Sequence, residues 1–156
     1  MIRLLRTNSS NPDFVELVKL LNADLAQRDG EEHSFYAQFN GIARLKYVVV
    51  LYAENVAVCC GALKEMDDTS MEVKRMFTLP HFRKKGLASQ VLSELERWAL
   101  ELGMAACRLE TGKKQPEAVA LYKRNGYKII PNYGPYKDVE NSLCFEKDLT
   151  SEAKAF

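Results

Sequence analysis

The sequence has almost no net charge, few histidines and cysteines, and no long apolar run, and each absence argues against a class of protein. Its 22 basic and 21 acidic side chains give a formal net charge of +1, so nucleic acid is not expected as the main ligand. No apolar stretch approaches the roughly 18 residues of a membrane span, and no segment resembles a signal peptide. We therefore expect a cytoplasmic protein that does not bind membranes. With two histidines and no Cys-x-x-Cys spacing, no metal site is expected.

The four cysteines share one setting, because each lies in a short apolar segment with the composition of a strand. They are Cys59, Cys60, Cys107 and Cys144. Only His33 and His81 could join them as imidazole ligands. A cysteine in an apolar strand is usually a small buried hydrophobe, so we expect reduced, buried thiols rather than disulfides or metal ligands.

No repeat, low-complexity segment or flexible linker divides the chain. A composition of 47% hydrophobic and 28% charged residues over 156 positions is typical of one globular domain with a single core. It contains both strand-like and helix-like segments, which predicts an α/β fold. We expect one domain over residues 1–150, followed by a short C-terminal tail at 151–156.

The chain is organised around a strand, a turn and a long helix between residues 71 and 103. Residues 71–79 have the composition of a strand, which Pro80 ends. From Gly86 the apolar residues recur every three or four positions, which predicts a core-facing helix that stops at Gly103. The same criteria predict strands at 2–6, 47–53, 56–63, 105–111, 127–130 and 142–147, and helices from 12 to about 28 and from 116 to a stop at 125–126.

The turn before the long helix is basic and reads Arg83-Lys84-Lys85-Gly86-Leu87-Ala88. A helix that begins at a glycine presents unpaired backbone N–H groups and roughly half a positive charge at that end. Together with the basic side chains, this makes the turn a candidate phosphate or pyrophosphate site. It matches neither the Walker loop nor the dinucleotide fingerprint, and a basic helix start by itself is more often just a solvated helix cap.

A second motif lies at residues 115–127, which read Gln-Pro-Glu-Ala-Val-Ala-Leu-Tyr-Lys-Arg-Asn-Gly-Tyr. It resembles the motif Asn-x-x-Ala-x-x-Leu-Tyr-x-x-x-Gly-Phe of the GNAT superfamily of N-acetyltransferases. The basic turn, Arg-x-x-Gly-x-Ala after a strand ending in Thr-x-Pro, resembles the acetyl-CoA signature of the same superfamily. The two motifs occur in the right order with a strand between them, and the resemblance covers nearly the whole chain. Gln115 replaces the usual asparagine, and Ala88 replaces the last glycine of the signature.

The resemblance implies a fold. We expect an α/β domain with a mixed, mainly antiparallel central sheet of about six to seven strands and helices on both faces. The strands at 71–79 and 105–111 should pair in parallel and then diverge to admit the pantetheine arm of CoA. A bulge is expected near Met76 and Phe77; without it, simple alternation would place Val73, Arg75 and Phe77 on one face.

The implied cosubstrate is acetyl-CoA, with no metal. In the superfamily the basic turn binds the pyrophosphate, while backbone groups at the bulge bind the pantetheine arm and polarise the thioester carbonyl. Carried over to the matching positions, the resemblance implies these cofactor-binding residues: Met76, Phe77, Thr78, Arg83, Lys84, Lys85, Gly86, Leu87, Ala88, Ser89 and Gln115.

The implied reaction is acetyl transfer to a primary amine by direct attack in a ternary complex. An amine with a pKa of about 10.4 costs about 4.6 kcal/mol to neutralise at pH 7, so a general base or a water chain is needed. Glu72 and Glu110 are the candidates, because Lys74 occupies the position of the family's commonest glutamate. Each carboxylate could instead serve only in an ion pair or a strand pairing. Tyr122 matches the general acid that returns a proton to the CoA thiolate.

No motif identifies the acceptor amine. The expected substrate contacts are Tyr36 and Asn40, in the region of the family's variable second helix, and Tyr133 and Tyr136, in a late loop. A small-molecule or amino acid amine is the first hypothesis. The alternatives are a protein lysine or N-terminus as the acceptor, or a non-catalytic acyl-CoA-binding regulatory module. Dimers are common in families that the chain resembles, so a homodimer is compatible with it.

Overall fold

The computed structural model describes residues 1–29 and 44–150, which form one seven-stranded sheet with helices on both faces. The strands are β1 Ile2–Thr7, β2 Tyr47–Ala53, β3 Val56–Glu65, β4 Ser70–Thr78, β5 Ala106–Gly112, β6 Lys128–Ile130 and β7 Ser142–Asp148. The α-helices are α1 Pro12–Asp29, α2 Leu87–Glu101 and α3 Pro116–Arg124. The fold class predicted from the sequence is confirmed.

The strands lie in the order β1-β2-β3-β4-β5-β7-β6, and every neighbouring pair is antiparallel except β4 with β5. These two strands pair in parallel only over residues 70–72 and 106–108. Beyond that point β4 remains paired with β3 and β5 with β7, so a gap opens between them. The predicted parallel pairing and divergence are both confirmed.

Helix α1 begins where the sequence predicts. The side-chain oxygen of Asn11 accepts hydrogen bonds from the backbone N–H groups of Asp13 and Phe14, at 2.9 and 3.0 Å. The buried face of the helix covers one side of β2 and β3 and comprises Phe14, Leu17, Val18 and Leu21. No helix in the described residues is both long and apolar enough to cross a membrane.

Helices α2 and α3 cover the opposite side of the sheet. Gly86 precedes α2 with a φ of 78°, in the left-handed region that glycine tolerates best. Tyr122 of α3 packs into the same core cluster as α2. The apolar stripe of α2 lies where its periodicity predicts and comprises Leu87, Val91, Leu92, Leu95 and Ala99.

A bulge in β4 changes which face its residues use. Lys74 pairs with Ala62 of β3 and Phe77 pairs with Cys60, so three steps along β4 match only two along β3. Arg75 and Met76 therefore both lie opposite Gly61. Arg75 adopts a φ of 61° at this point. Phe77 consequently packs with α1, on the other side of the sheet from the apolar residues in the first half of β4. The bulge implied by the resemblance is confirmed, and it is centred on Arg75 and Met76.

All four cysteines are free and buried, as predicted. Burial raises the pKa of Cys59 and Cys144 to about 11 and that of Cys107 to about 12, and it also raises the pKa of Cys60. Because the thiolate is the reactive form, roughly one thiol in 10³ is ionised at pH 8 when the pKa is near 11.

We therefore expect the native protein not to react with a thiol dye within minutes at pH 8. Unfolding in urea should release all four thiols to the dye. Absorbance of the released chromophore, followed in native and unfolded samples, measures both. A thiol that reacted rapidly in the native protein would contradict the buried placement.

A buried ion pair joins α2 to β7. The ammonium of Lys147 lies 2.9 Å from Oε1 of Glu96, and each side chain is only 9% exposed. The hydroxyl of Tyr127 donates a 2.9 Å hydrogen bond to Oε2 of the same carboxylate. The Lys147 ammonium also lies 5.8 Å above the Tyr127 ring. These three residues do not line the cavities described below, so we assign them to stability rather than to binding.

Candidate active site

A cleft of about 560 Å³ opens beside the second half of β4, between the start of α2 and α3. It brings together nearly all the residues predicted to bind a cofactor, although they belong to three separate segments of the chain. Lys85 is not among the described lining residues, and its ammonium lies 5.5 Å above the ring of Phe82. The predicted residues that do line the cleft are Met76, Phe77, Thr78, Arg83, Lys84, Gly86, Leu87, Ala88, Ser89 and Gln115.

The basic turn forms one end of this cleft, and a basic helix start is a setting that favours an anion. Apart from Gly86 itself and its neighbours in the chain, no atom lies within 4 Å of the position that a β-carbon on Gly86 would occupy, so the space above the turn is open. Residues 87–89 carry the first amides of α2, which have no intrahelical acceptor, and they line the cleft. Arg83 anchors the turn, because its Nε donates a 2.9 Å hydrogen bond to the carbonyl oxygen of Thr78. Its Nη2 also lies 4.0 Å from Oδ2 of Asp24 on α1.

Helix α3 forms the other wall, a role that the sequence interpretation overlooked except at Tyr122. Most of its lining residues recur every three or four positions, so helical periodicity could have indicated them. Asn125 ties the two walls together, because its side-chain amide donates a 3.1 Å hydrogen bond to the Ser89 hydroxyl. The α3 residues that line the cleft are Glu117, Ala118, Ala120, Leu121, Tyr122 and Arg124.

A second cavity, of about 110 Å³, lies in the gap between β4 and β5. Glu72 and Glu110, the two candidate bases, both line it. Tyr122 and Tyr136 line it as well. Because Tyr122 also lines the larger cleft, the two cavities adjoin at its side chain.

Tyr122 is closely packed at this junction. It is 6% exposed, and its ring centroid lies 5.8 Å from that of Tyr127 and 6.0 Å from that of Phe145. Burial raises the pKa of its phenol, and the negative charge of Glu110 raises it further. The hydroxyl therefore stays protonated at neutral pH and is available as a proton donor.

Hydrogen bonds orient both carboxylates of the smaller cavity. The hydroxyl of Tyr133 donates a 2.7 Å hydrogen bond to Oε2 of Glu72, and the Lys74 ammonium lies 3.3 Å from Oε1. Glu110 accepts a 2.6 Å hydrogen bond from the hydroxyl of Ser142 on β7. Each carboxylate is thus positioned by a neighbouring element rather than left to rotate in solvent.

The two tyrosines of the late loop occupy different places. Tyr136 belongs to a 3₁₀ turn at Gly134–Tyr136 and lines the smaller cavity, whereas Tyr133 is not among its described lining residues and contacts Glu72 instead. Burial raises the pKa of both phenols, and nearby carboxylates raise it further. The remaining two predicted substrate contacts, Tyr36 and Asn40, lie outside the described residues.

Arg75 lines the smaller cavity, and nothing in the sequence indicated this. Its position depends on the bulge, which breaks the alternation from which strand faces are read. With Lys74 it gives the cavity two cations beside its two carboxylates. Within the described residues, 1–29 and 44–150, no three His, Cys, Asp or Glu side chains are grouped so that they could hold a metal ion.

The bulged strand, the adjoining helix that begins at a glycine and the divergent parallel strand pair together define the class of N-acetyltransferases. Comparison with known proteins identifies the family within this class. The sequence model of the acetyltransferase (GNAT) family matches residues 14–127, and the chain belongs to this family. It is accordingly an acetyl-transferring enzyme, as the sequence motifs predicted.

Individual relatives extend the similarity over almost the whole chain. An IAA acetyltransferase of Azospirillum brasilense is 27% identical over 95% of this chain and 98% of its own length. The uncharacterized N-acetyltransferase YsnE of Bacillus subtilis is 35% identical over 58% of this chain and 61% of its own.

Solved structures agree with this assignment. A structure from Klebsiella pneumoniae, described as that of a putative acyl-CoA N-acyltransferase, has a TM-score of 0.79 at 28% identity and covers 96% of this chain and 98% of its own. The PaiA N-acetyltransferase of Thermoplasma acidophilum, solved with coenzyme A, has a TM-score of 0.70 at 16% identity. That alignment covers 95% of this chain and 99% of PaiA, and it supports the shared fold.

Proposed function

We propose that this enzyme transfers an acetyl group from acetyl-CoA to the primary amine of a small molecule or amino acid, by direct attack in a ternary complex. The observation that carries the proposal is the meeting of two cavities at Tyr122. One of them ends at the basic turn and the other has two carboxylates. A donor and an acceptor could therefore lie on either side of a single proton donor.

The larger cleft fits the donor in size and in charge. Its volume of about 560 Å³ lies within the range of cofactor sites, roughly 300–1,000 Å³. The amides at residues 87–89 and the side chains of Arg83 and Lys84 would hold the pyrophosphate, and the bulge at Met76 would face the pantetheine arm. Acetyl-CoA would supply an activated thioester carbonyl there.

The residues of the smaller cavity match the two proton transfers that the reaction needs. Glu72 or Glu110 would accept a proton from the acceptor ammonium, which lowers the cost of about 4.6 kcal/mol for presenting a neutral amine at pH 7. Tyr122 would donate its proton to the departing thiolate. The bond from nitrogen to the acetyl carbon forms as the carbon–sulfur bond breaks. The nitrogen then loses its second proton to solvent, and the Tyr122 phenolate regains a proton from solvent. The products are the amide and the free thiol.

Mass-spectrometric detection of product is the direct test. The protein would be incubated with acetyl-CoA and separate pools of amino acids, polyamines, aminosugars, and peptides with lysine or free N-termini. We expect an acetylated product from the amino acid or small-amine pools. A product from the peptide pools alone would favour protein acetylation, and bound acetyl-CoA without any product would favour a non-catalytic binding module.

Gly86→Glu should abolish tight binding of acetyl-CoA. The new carboxylate would stand beside the pyrophosphate, and like charges placed together cost several kcal/mol, so we expect a fall in affinity on the order of 10²-fold or more by calorimetry. Gly103→Glu is the matched control, because Gly103 also has a positive φ, of 85°, and open space around its β-carbon position. Equal losses in both variants would show backbone strain, rather than a phosphate site, to be the cause.

Glu72→Gln should lower kcat/KM for the amine by about 10²-fold, because a carboxamide keeps the shape of the side chain but cannot accept a proton. Affinity for acetyl-CoA should not change. Glu110→Gln is the comparison variant, and a larger loss there would make Glu110 the base. Full activity in both variants would mean that a water chain, rather than either carboxylate, accepts the proton of the acceptor ammonium.

A further inference from the structure

The charged side chains of the smaller cavity carry information about the acceptor. Its described lining includes the carboxylates of Glu72 and Glu110 and the cations of Lys74 and Arg75. An acceptor with only an amine would use the carboxylates and meet two positive charges. A molecule that carries one charge of each sign complements the whole set.

Of the two cations that line this cavity, Arg75 is the more deeply buried. It is 7% exposed, and its backbone adopts a φ of 61°, which is unfavourable for a residue with a side chain. The Cys60 thiol donates a 3.3 Å hydrogen bond to its carbonyl oxygen, within the bulge. Backbone conformations of this kind concentrate at binding and catalytic sites, where the surrounding structure holds them.

Lys74 has a different role from Arg75. Its ammonium lies 3.3 Å from Glu72, which also accepts the hydrogen bond from Tyr133. The guanidinium of Arg75 is planar and has five N–H donors in a fork that matches the two oxygens of a carboxylate. It can bind an incoming carboxylate in addition to contacts that it makes within the protein.

We propose that the acceptor is an amino carboxylic acid, such as an α-amino acid, whose carboxylate binds Arg75 while its amine faces Glu72 and Glu110. This inference rests on the proposed acetyl-transfer function and specifies its substrate class. A polyamine would place a second cation against Arg75. A carboxamide would lose the charge-assisted hydrogen bonds that a guanidinium makes to a carboxylate.

Matched acceptors test the proposal on the full-length protein. Each proteinogenic amino acid would be compared with its own α-carboxamide, and with the polyamine spermidine, at saturating acetyl-CoA. Product would be quantified by mass spectrometry. We expect kcat/KM for the preferred acid to exceed that for its amide by about 10- to 100-fold, the range for hydrogen bonds between charged groups.

Arg75→Gln should remove most of this preference by lowering kcat/KM for the acid and leaving that for the amide nearly unchanged. Arg75→Lys should restore part of it. Lys128→Gln removes one positive charge from an exposed position on β6 and should keep the preference. Thermal unfolding and acetyl-CoA affinity would establish that Arg75→Gln is folded. If the variant does not fold, the comparison of acid with amide in the unaltered protein tests the preference for a carboxylate.

The proposed acetyl-transfer function and the inferred amino carboxylic acid acceptor are contradicted by different results. If the enzyme acetylates amides or spermidine as well as it acetylates amino acids, the inference is overturned and the acetyl-transfer function stands. Equal losses for acid and amide in a folded Arg75→Gln variant would also overturn it. If no amine of any class is acetylated while acetyl-CoA binds, the proposed function fails and the inference fails with it.

Discussion

Replacing Tyr122 with phenylalanine is expected to lower kcat by about 10²-fold while acetyl-CoA affinity stays the same. The phenol lies where the two cavities adjoin, and burial together with the charge of Glu110 raises its pKa. It therefore remains protonated at the pH of the reaction. Phenylalanine keeps the packing against Tyr127 and Phe145 but removes the proton that the thiolate would receive.

The measurement is steady-state kinetics with a fixed acceptor, paired with calorimetry of acetyl-CoA binding. Tyr47→Phe is the matched control, because Tyr47 packs edge-on against Trp98 at 5.3 Å and is not among the described residues that line either cavity. That variant should keep its kcat. If Tyr122→Phe also kept its kcat, the thiolate would have to obtain its proton from solvent, and Tyr122 would not be the general acid.

Replacing Lys147 with methionine should destabilise the fold by about 3–5 kcal/mol, the usual cost of removing one partner of a buried ion pair. Methionine fills much of the same space but leaves the Glu96 carboxylate buried without this cation. Since domains of this kind are stable by only about 5–15 kcal/mol, the midpoint of urea unfolding should fall markedly. Activity of the fraction that remains folded should not change, because Lys147 is not a described lining residue of either cavity.

Arg97→Met provides the comparison, because Arg97 lies on α2, the helix that carries Glu96. Its guanidinium lies 3.0 Å from Glu94, but the Arg97 side chain is 66% exposed, so its loss should cost only about 0–1 kcal/mol. A double variant, Glu96→Gln with Lys147→Met, should recover much of the stability, because it removes the buried charge and keeps a carbonyl oxygen that accepts the hydrogen bond from Tyr127. A small effect of Lys147→Met alone would mean that water reaches Glu96 and screens it.

The α/β class and the sequence of elements could be predicted because the signals for them are local. The apolar stripe from Leu87 to Ala99, the cap at Asn11 and the glycine before α2 each act within a few residues of their own position. The basic turn and the motif around Tyr122 are also short and contiguous. The sequence could therefore indicate an acetyl-CoA-type turn and a candidate acid before any tertiary contact was known.

The site itself depended on contacts between distant parts of the chain. Tyr133 reaches Glu72 across 61 positions, and Lys147 reaches Glu96 across 51, so no periodicity within one segment could have paired them. The bulge at Arg75 shifts the register of β4, which sends Phe77 to the face of α1 and brings Arg75 into the smaller cavity. Alternation fails there because it counts residues, and a bulge inserts one residue that has no partner.

By itself, then, the sequence determined the order of the strands and helices and the family's two motifs, since short-range periodicity, capping and turn chemistry act between neighbours in the chain. Only the tertiary structure decided that Glu72, Glu110, Arg75 and Tyr122 line one cavity. That cavity exists because β4 and β5 part after residue 72, where each strand remains hydrogen-bonded to its other neighbour.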